Sequence, residues 1–287
     1  MPDGTDFKLD WNLILSESIP RPQGRHSLKA QMDLCSHTHC VLEERAVSNT
    51  SNFREAIRKA QGQALVGPNV IKNALPYVGG GLILTALGAF GGLGVLASNP
   101  GIFMPTFWVA LIAEIALFFV ASNAAAKENN GTALPLLATY SLLSGYTLSG
   151  LLAVALGTAG VGIAGIGSAA LACGVVFIAA RQIGSNLSEE DGFALTRTIG
   201  MGVIALLIAV VGQFVFAIFG GGIPQFLDIA ISGFGVLIFV GAAVVDFFIL
   251  PRTYKDEQYL SAALSMYLTY INLFVFILRL LIAFNRD

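Results

Sequence analysis

Residues 198–221 read TIGMGVIALLIAVVGQFVFAIFGG, twenty-four positions without one charged side chain. At 1.5 Å per helical residue such a run extends about 36 Å, more than a hydrocarbon core of about 30 Å. Working outward, six further apolar segments of 22 or more residues lie near 73–96, 103–124, 132–157, 159–180, 226–250 and 258–283. Together they predict an all-α polytopic membrane protein, a seven-transmembrane helical bundle over 73–287. Residues 1–72 would form a cytoplasmic N-terminal tail or small domain. Two alternatives stay open. Only Gly157, Gly160 and Gly162 part the third segment from the fourth, so one long helix could run through both. Ser265, Thr269 and Asn272 dilute the last segment enough for a re-entrant piece and a count of six spans.

Composition agrees with lipid as the solvent. The chain is 55% hydrophobic and 12% charged, with a mean hydropathy of +0.73. That charged share is about half of what a soluble domain carries. Residues 1–72 hold 17 of the 34 charged side chains, so the remaining three quarters of the chain is depleted further. A net charge of −2 gives no basic field for nucleic acid. Asp3, Asp6, Lys8, Asp10 and Glu17 do not make the basic start of a signal peptide. The first span is therefore expected to direct insertion, with the N-terminus in the cytoplasm. On that topology Lys127, Arg181, Arg197, Arg252 and Lys255 fall in inner loops, and the loops near 97–102, 158 and 222–225 carry no basic residue. This is the positive-inside pattern.

Ionisable groups at membrane depth are expensive and point to function. Glu114 stands near the centre of the second span, Asp228 and Asp246 toward the two ends of the sixth, and Arg279 in the seventh. Glu114 must be neutral, paired across the bundle, or reached by water; Arg279 has the right sign for a partner. Asp246, close to Pro251, Arg252 and Lys255, reads either as a local ion pair or as a gate carboxylate at the cytoplasmic mouth. Asp228, one turn from Pro224, reads as an exposed helix-start carboxylate. Ser265, Thr269, Asn272 and Arg279 recur at intervals of four, three and seven, which puts them on one helical face toward the bundle interior or a hydrated cavity. Tyr267 and Tyr270 flank that stripe. Gly88 and Gly92, and the crowd Gly162, Gly165 and Gly167, read as close-packing positions.

The spans carry no His, no metalloprotease motif and no phosphate-binding glycine loop, so no enzyme is expected. No tightly bound cofactor is implied. In the tail, Cys35, His37, His39 and Cys40 are soft-metal ligands at a tighter spacing than the usual zinc pattern, and chance clustering is the plainer reading. Asn52–Lys59, with Phe53 and Ile57 four apart, is the most helix-like part of the tail. Cys173 reads as a small packing residue.

The last span, Ala262-Ala263-Leu264-Ser265-Met266-Tyr267-Leu268-Thr269-Tyr270-Ile271-Asn272-Leu273-Phe274 with Ile277-Leu278-Arg279 after it, resembles the last helix of the Bax inhibitor family of membrane proteins. Gly233-Phe234-Gly235-Val236-Leu237-Ile238-Phe239 running to Asp246, the helix with Tyr140, Gly145 and Tyr146, and Glu114 fit the same family. The resemblance covers about residues 70–285. It implies a seven-helix bundle whose last helix is wrapped by the other six, and a pH-sensitive calcium leak. It also implies links to suppression of cell death in eukaryotes and, in some bacterial relatives, to a membrane quality-control protease. By the family pattern two aspartates on the last two helices pair, sense pH and close the pore on the cytoplasmic side. The first matches Asp246, followed here by Phe247-Phe248 in place of Thr-Gln. The second falls on Thr269, which can share a hydrogen bond but not a like charge.

The function expected is a pH-influenced passive calcium leak. Glu114 and Asp246 would be the metal contacts, and Thr269, Asn272, Arg279 and Asp228 would lie along the ion path or gate. Calcium takes six to eight oxygens, and dispersed weak contacts suit conduction better than a cage. The alternative is a non-conducting regulator bound to a membrane partner such as a quality-control protease or a cell-death regulator. A coupled transporter ranks lower, because no inverted repeat is visible. A monomer in a prokaryotic cell membrane is expected.

Overall fold

The computed structural model describes residues 65–219 and 224–286. The tail cysteines and histidines, the Asn52–Lys59 segment and most of the proposed 1–72 region lie outside the described residues. Among the described residues seven long helices follow one another: α1 Val70–Ser98, α2 Pro100–Ala126, α3 Asn130–Gly157, α4 Gly162–Gly184, α5 Glu189–Ile218, α6 Gln225–Thr253 and α7 Tyr259–Phe284. A 3-10 turn, Asp256–Gln258, leads into α7. Each of the seven is long and apolar enough to cross a membrane, and no strand occurs among the described residues.

Local chemistry sets the helix ends. Pro100 starts α2 directly after Asn99, where a missing N–H costs nothing. The Asn129 side chain accepts from the Thr132 N–H at the start of α3. The break between α3 and α4 is real, against the single-helix alternative. Gly160 and Gly162 take φ of +80° and +54°, values a continuing right-handed helix does not allow. The six-span alternative fails as well, because α7 runs unbroken for 26 residues.

α7 is the central helix. It packs against α1, α2, α3, α4 and α6, and 14 of its 26 residues are buried. In α2, by contrast, 4 of 27 are buried, so α2 is peripheral. The apolar side chains that face outward, among them Phe90, Leu171, Ile178 and Leu237, meet lipid tails at no hydrophobic cost.

With no hydrophobic drive between helices in lipid, close backbone approach becomes the main packing device. The tightest case joins α1 to α3. A Cβ placed on Gly88 would stand 2.1 Å from the Leu142 carbonyl oxygen, and one on Gly145 would stand 2.0 Å from that of Thr85. Gly92 approaches the Ser149 hydroxyl in the same groove. The glycine pair read from sequence as simple packing is therefore a helix–helix contact completed by Gly145.

One end of the bundle is laced by polar bonds between the start of α1, the α2–α3 turn and the α6–α7 turn. The Asn69 N–H donates to Asp256 at 2.8 Å, and Gly67 N–H to the Pro251 carbonyl at 3.0 Å. Asn130 donates to the Glu257 carbonyl and Gln258 to that of Ala126. At the opposite end Gln225 donates to the carbonyls of Ala283 and Arg286.

Candidate functional site

Asp246 lies in the second half of α6, and it is 6% exposed. Ser265 and Thr269, one turn apart on α7, point at it together. Ser265 Oγ donates to Oδ1 at 2.9 Å and Thr269 Oγ1 donates to Oδ2 at 2.6 Å. Both carboxylate oxygens are thus held by hydroxyls of the central helix. Phe247 and Phe248, where the family pattern has Thr-Gln, are buried beside it. The Phe248 ring packs against Gly192 and edge-on to Phe193, and Phe247 meets Phe177. These rings pack α6 against α4 and α5 at the positions next to Asp246.

Glu114, at mid-length in α2, has a different setting. It is half-buried and accepts from Thr147 Oγ1 at 2.9 Å. It borders an open cavity of about 710 Å³ that Tyr140, Ser144, Thr147 and Asn272 also line. A smaller cavity of about 210 Å³, toward the α6–α7 turn, is lined by Ser122, Tyr254, Ser261 and Ser265. Phe118 and Leu268 border both. The two spaces therefore lie in series along the α2–α7 groove, with that apolar pair between them. Ser265 touches the smaller cavity and Asp246 at once.

Arg279 does not reach Glu114. Its guanidinium donates to Asp228 Oδ1 at 2.8 Å and to Gln213 Oε1 at 2.9 Å. Arg286 stands 3.9 Å from the other Asp228 oxygen. The Asp228 side chain is 13% exposed, which corrects its reading as an exposed helix-start carboxylate. It does sit in the first turn of α6, but the basic end of α7 covers it. The polar stripe of α7 is also divided. Ser265 and Thr269 serve Asp246, Asn272 faces the Glu114 cavity and binds its own Leu268 carbonyl, and Arg279 serves Asp228. A helical face fixes direction to within a broad sector, and three neighbouring helices share that sector here.

Tyr267, one of the two tyrosines that flank the stripe and can donate hydrogen bonds, has a partner that sequence reasoning missed. Tyr267 and Thr85 are joined at 2.6 Å, and Thr85 Oγ1 also reaches the Gly81 and Ser141 carbonyl oxygens at 2.9 and 3.1 Å. A threonine has one proton to give. Tyr267 therefore donates to Thr85 and ties α7 to α1, and Thr85 donates onward to the carbonyl of Gly81 in its own helix or of Ser141 in α3. No pattern marks this in sequence, since a lone threonine in a helix ordinarily bonds its own preceding turn. Tyr270 donates to the Ala170 carbonyl at 3.0 Å and ties α7 to α4.

Among the described residues, no three His, Cys, Asp or Glu side chains converge as a metal site. Asp246 and Glu114 occupy separate surroundings, each with hydroxyl partners. Cys173 is buried in apolar packing.

These features define an integral membrane protein: a seven-helix bundle around its last helix, with one carboxylate clamped on that helix and another facing a cavity. The model of the family described as inhibitor of apoptosis-promoting Bax1 matches residues 67–286, and the chain belongs to this Bax inhibitor family. The family is linked to cation and calcium leak and to cytoprotection, and its members are channels or regulators rather than enzymes. An uncharacterized membrane protein of Streptococcus pyogenes serotype M1 is 34% identical over 195 residues, 66% of this chain and 77% of that one. An uncharacterized protein of Deinococcus radiodurans is 29% identical over 215 residues, 71% of this chain and 86% of its own. Bax inhibitor 1 of Schizosaccharomyces pombe is 39% identical over a shorter stretch of 56 residues, 20% of this chain and 21% of its own.

Proposed function

We propose that this chain is a passive cation leak that conducts calcium and that is closed, in the state described, where Asp246 binds the hydroxyls of α7. The observation that supports it is the two-cavity groove between α2 and α7. Glu114, Thr147, Tyr140, Ser144 and Asn272 offer oxygens around the larger space. A calcium ion could keep several waters there and still exchange one contact for another. Phe118 and Leu268 are the apolar constriction, and α2, the less buried partner, is the helix free to shift. Asp246 sets the position of the α7 wall through Ser265, which faces the smaller cavity.

In this reading the end of the bundle that carries Lys72, Lys127, Arg181, Arg197, Arg252 and Lys255 is cytoplasmic, which puts the N-terminus inside. The membrane is a prokaryotic cell membrane, as the bacterial relatives suggest, and the working unit is a monomer.

The alternative is a regulator that conducts nothing and acts on a membrane partner. It is favoured by the full satisfaction of Asp246 and by the apolar break between the cavities. Purified full-length protein in liposomes with an enclosed calcium dye, titrated from pH 6 to 8, separates the two. Flux without any other protein, altered in D246N and E114Q, supports the leak. Liposomes as tight as protein-free controls across that range would overturn it.

A further inference from the structure

At the end of the bundle that holds the α1 start, a cleft of about 660 Å³ opens between α1, α4 and α6. Three cations line it: Lys72, Arg181 and Arg252. No carboxylate does, and among the described residues none of the three forms an ion pair. Its other walls include Leu65, Ile71 and Phe247, so a basic mouth sits over an apolar floor.

The cations are not all accounted for by the helices that carry them. Arg181 and Arg252 sit in the last turns of α4 and α6, where a positive charge offsets the carbonyl end. Lys72 is the third residue of α1, at the helix end where a positive charge is disfavoured. Arg252 is set in place: Nη1 donates to the Phe248 carbonyl at 2.6 Å and the guanidinium lies 4.0 Å over the Phe248 ring. Its Nε is buried with no hydrogen-bond partner among the described residues. A buried donor of that kind calls for an acceptor.

We propose that this cleft binds the phosphate headgroup of an anionic phospholipid from the adjacent leaflet, with Lys72, Arg181 and Arg252 on the phosphate and an acyl chain on the apolar wall. The chemistry is that of basic pockets between spans at the membrane surface. A free phosphate would satisfy the cations but leave the apolar floor unused. The site is separate from the α2–α7 groove, so it stands whether or not the protein conducts.

Native mass spectrometry of the detergent-purified full chain tests it, with phosphatidylglycerol and phosphatidylcholine of matched acyl chains as probes. Phosphatidylglycerol should bind more tightly than phosphatidylcholine. The double variant Lys72→Gln/Arg181→Gln should weaken it about tenfold, most of what two surface cations contribute. Both residues are exposed, so folding should be retained. The control Lys127→Gln/Arg197→Gln removes the same charge outside the cleft and should leave binding unchanged. Equal binding of the two lipids, or equal losses in the two double variants, would overturn the proposal. Displacement of the lipid by inorganic phosphate at the same concentration would assign the cleft to a soluble anion and overturn its lipid identity.

Discussion

Thr269 on α7 donates its hydroxyl to Oδ2 of Asp246 on α6 at 2.6 Å, while Ser265 one turn earlier donates to Oδ1 at 2.9 Å. Only an ionised carboxylate accepts on both oxygens without presenting a proton of its own. The clasp between α6 and α7 is therefore strongest with Asp246 charged and loosens when it is protonated. On the closed-leak reading, flux should rise as the pH falls. D246N mimics the loosened form and should raise basal flux and flatten its pH response. A hydrogen bond to a charged group contributes roughly 1.5–3 kcal/mol, so the open population should grow about tenfold or more. Dye-loaded liposomes at several pH values give the answer, and a pH response in D246N equal to the parent's would refute it.

Thr269→Asp puts a second acid where the family pattern has one. Two carboxylates at this distance cannot both ionise freely, and they titrate as a pair. The parent, with one acid and two hydroxyls, should change flux gently between pH 6 and 8. The variant should respond more steeply. Thr269→Val removes the hydroxyl at nearly constant volume and should shift flux the same way as D246N but by less. A parent already showing a steep cooperative switch would contradict the account of Thr269.

Glu114→Gln keeps an oxygen for the Thr147 hydroxyl but removes the charge that faces the larger cavity. Its effect should fall on conduction rather than on folding. Calcium flux should drop severalfold while the melting temperature in detergent moves little. Unchanged flux would remove Glu114 from the ion path.

The seven spans are legible in the sequence because a bilayer accepts few solutions, and a 22-residue apolar run has hardly another use. The α3–α4 break is less so. Gly160 and Gly162 are visible as glycines, but only their backbone angles decide between a turn and a continuing helix. Within the candidate site, the Asp246–Thr269 contact follows from a family pattern and not from spacing. The Arg279–Asp228 pair is hidden because depth along two helices says nothing of how each is rotated. Reading Arg279 against Glu114 matched the signs and missed the geometry, since Arg279 lies near the end of α7 beside Asp228 in the first turn of α6, while Glu114 stands at mid-length in α2.

That ion pair has its own consequence. The Arg279 and Asp228 side chains are 22% and 13% exposed, so removing one partner leaves a charge poorly solvated. Arg279→Gln should destabilise the protein by on the order of 3 kcal/mol, with Arg286 a weak substitute at 3.9 Å. The double variant Arg279→Gln/Asp228→Asn leaves no lone charge and should cost less than Arg279→Gln by itself. Thermal unfolding in detergent measures both, and a double variant less stable than the single one would show that the pair matters for something other than mutual neutralisation.

Gly145 makes the sharpest packing prediction, because what its missing side chain would strike is backbone. A Cβ there would come within 2.0 Å of the Thr85 carbonyl oxygen and 2.8 Å of the Ala89 nitrogen, neither of which can rotate away. Gly145→Ala must therefore push α3 from α1, and overpacking of this kind costs about 1–3 kcal/mol or more. The same displacement would carry Ser141 from Thr85 and strain the link from Thr85 to Tyr267 on α7, so the loss should exceed that of a peripheral change. Gly91→Ala, on the same helix as Gly88 but with nothing within 4 Å of an added Cβ, is the matched control. Gly145→Ala should lower the melting temperature in detergent by several degrees and Gly91→Ala should leave it unchanged or raise it slightly. Equal melting temperatures for the two variants would mean that the α1–α3 contact is looser than these distances require.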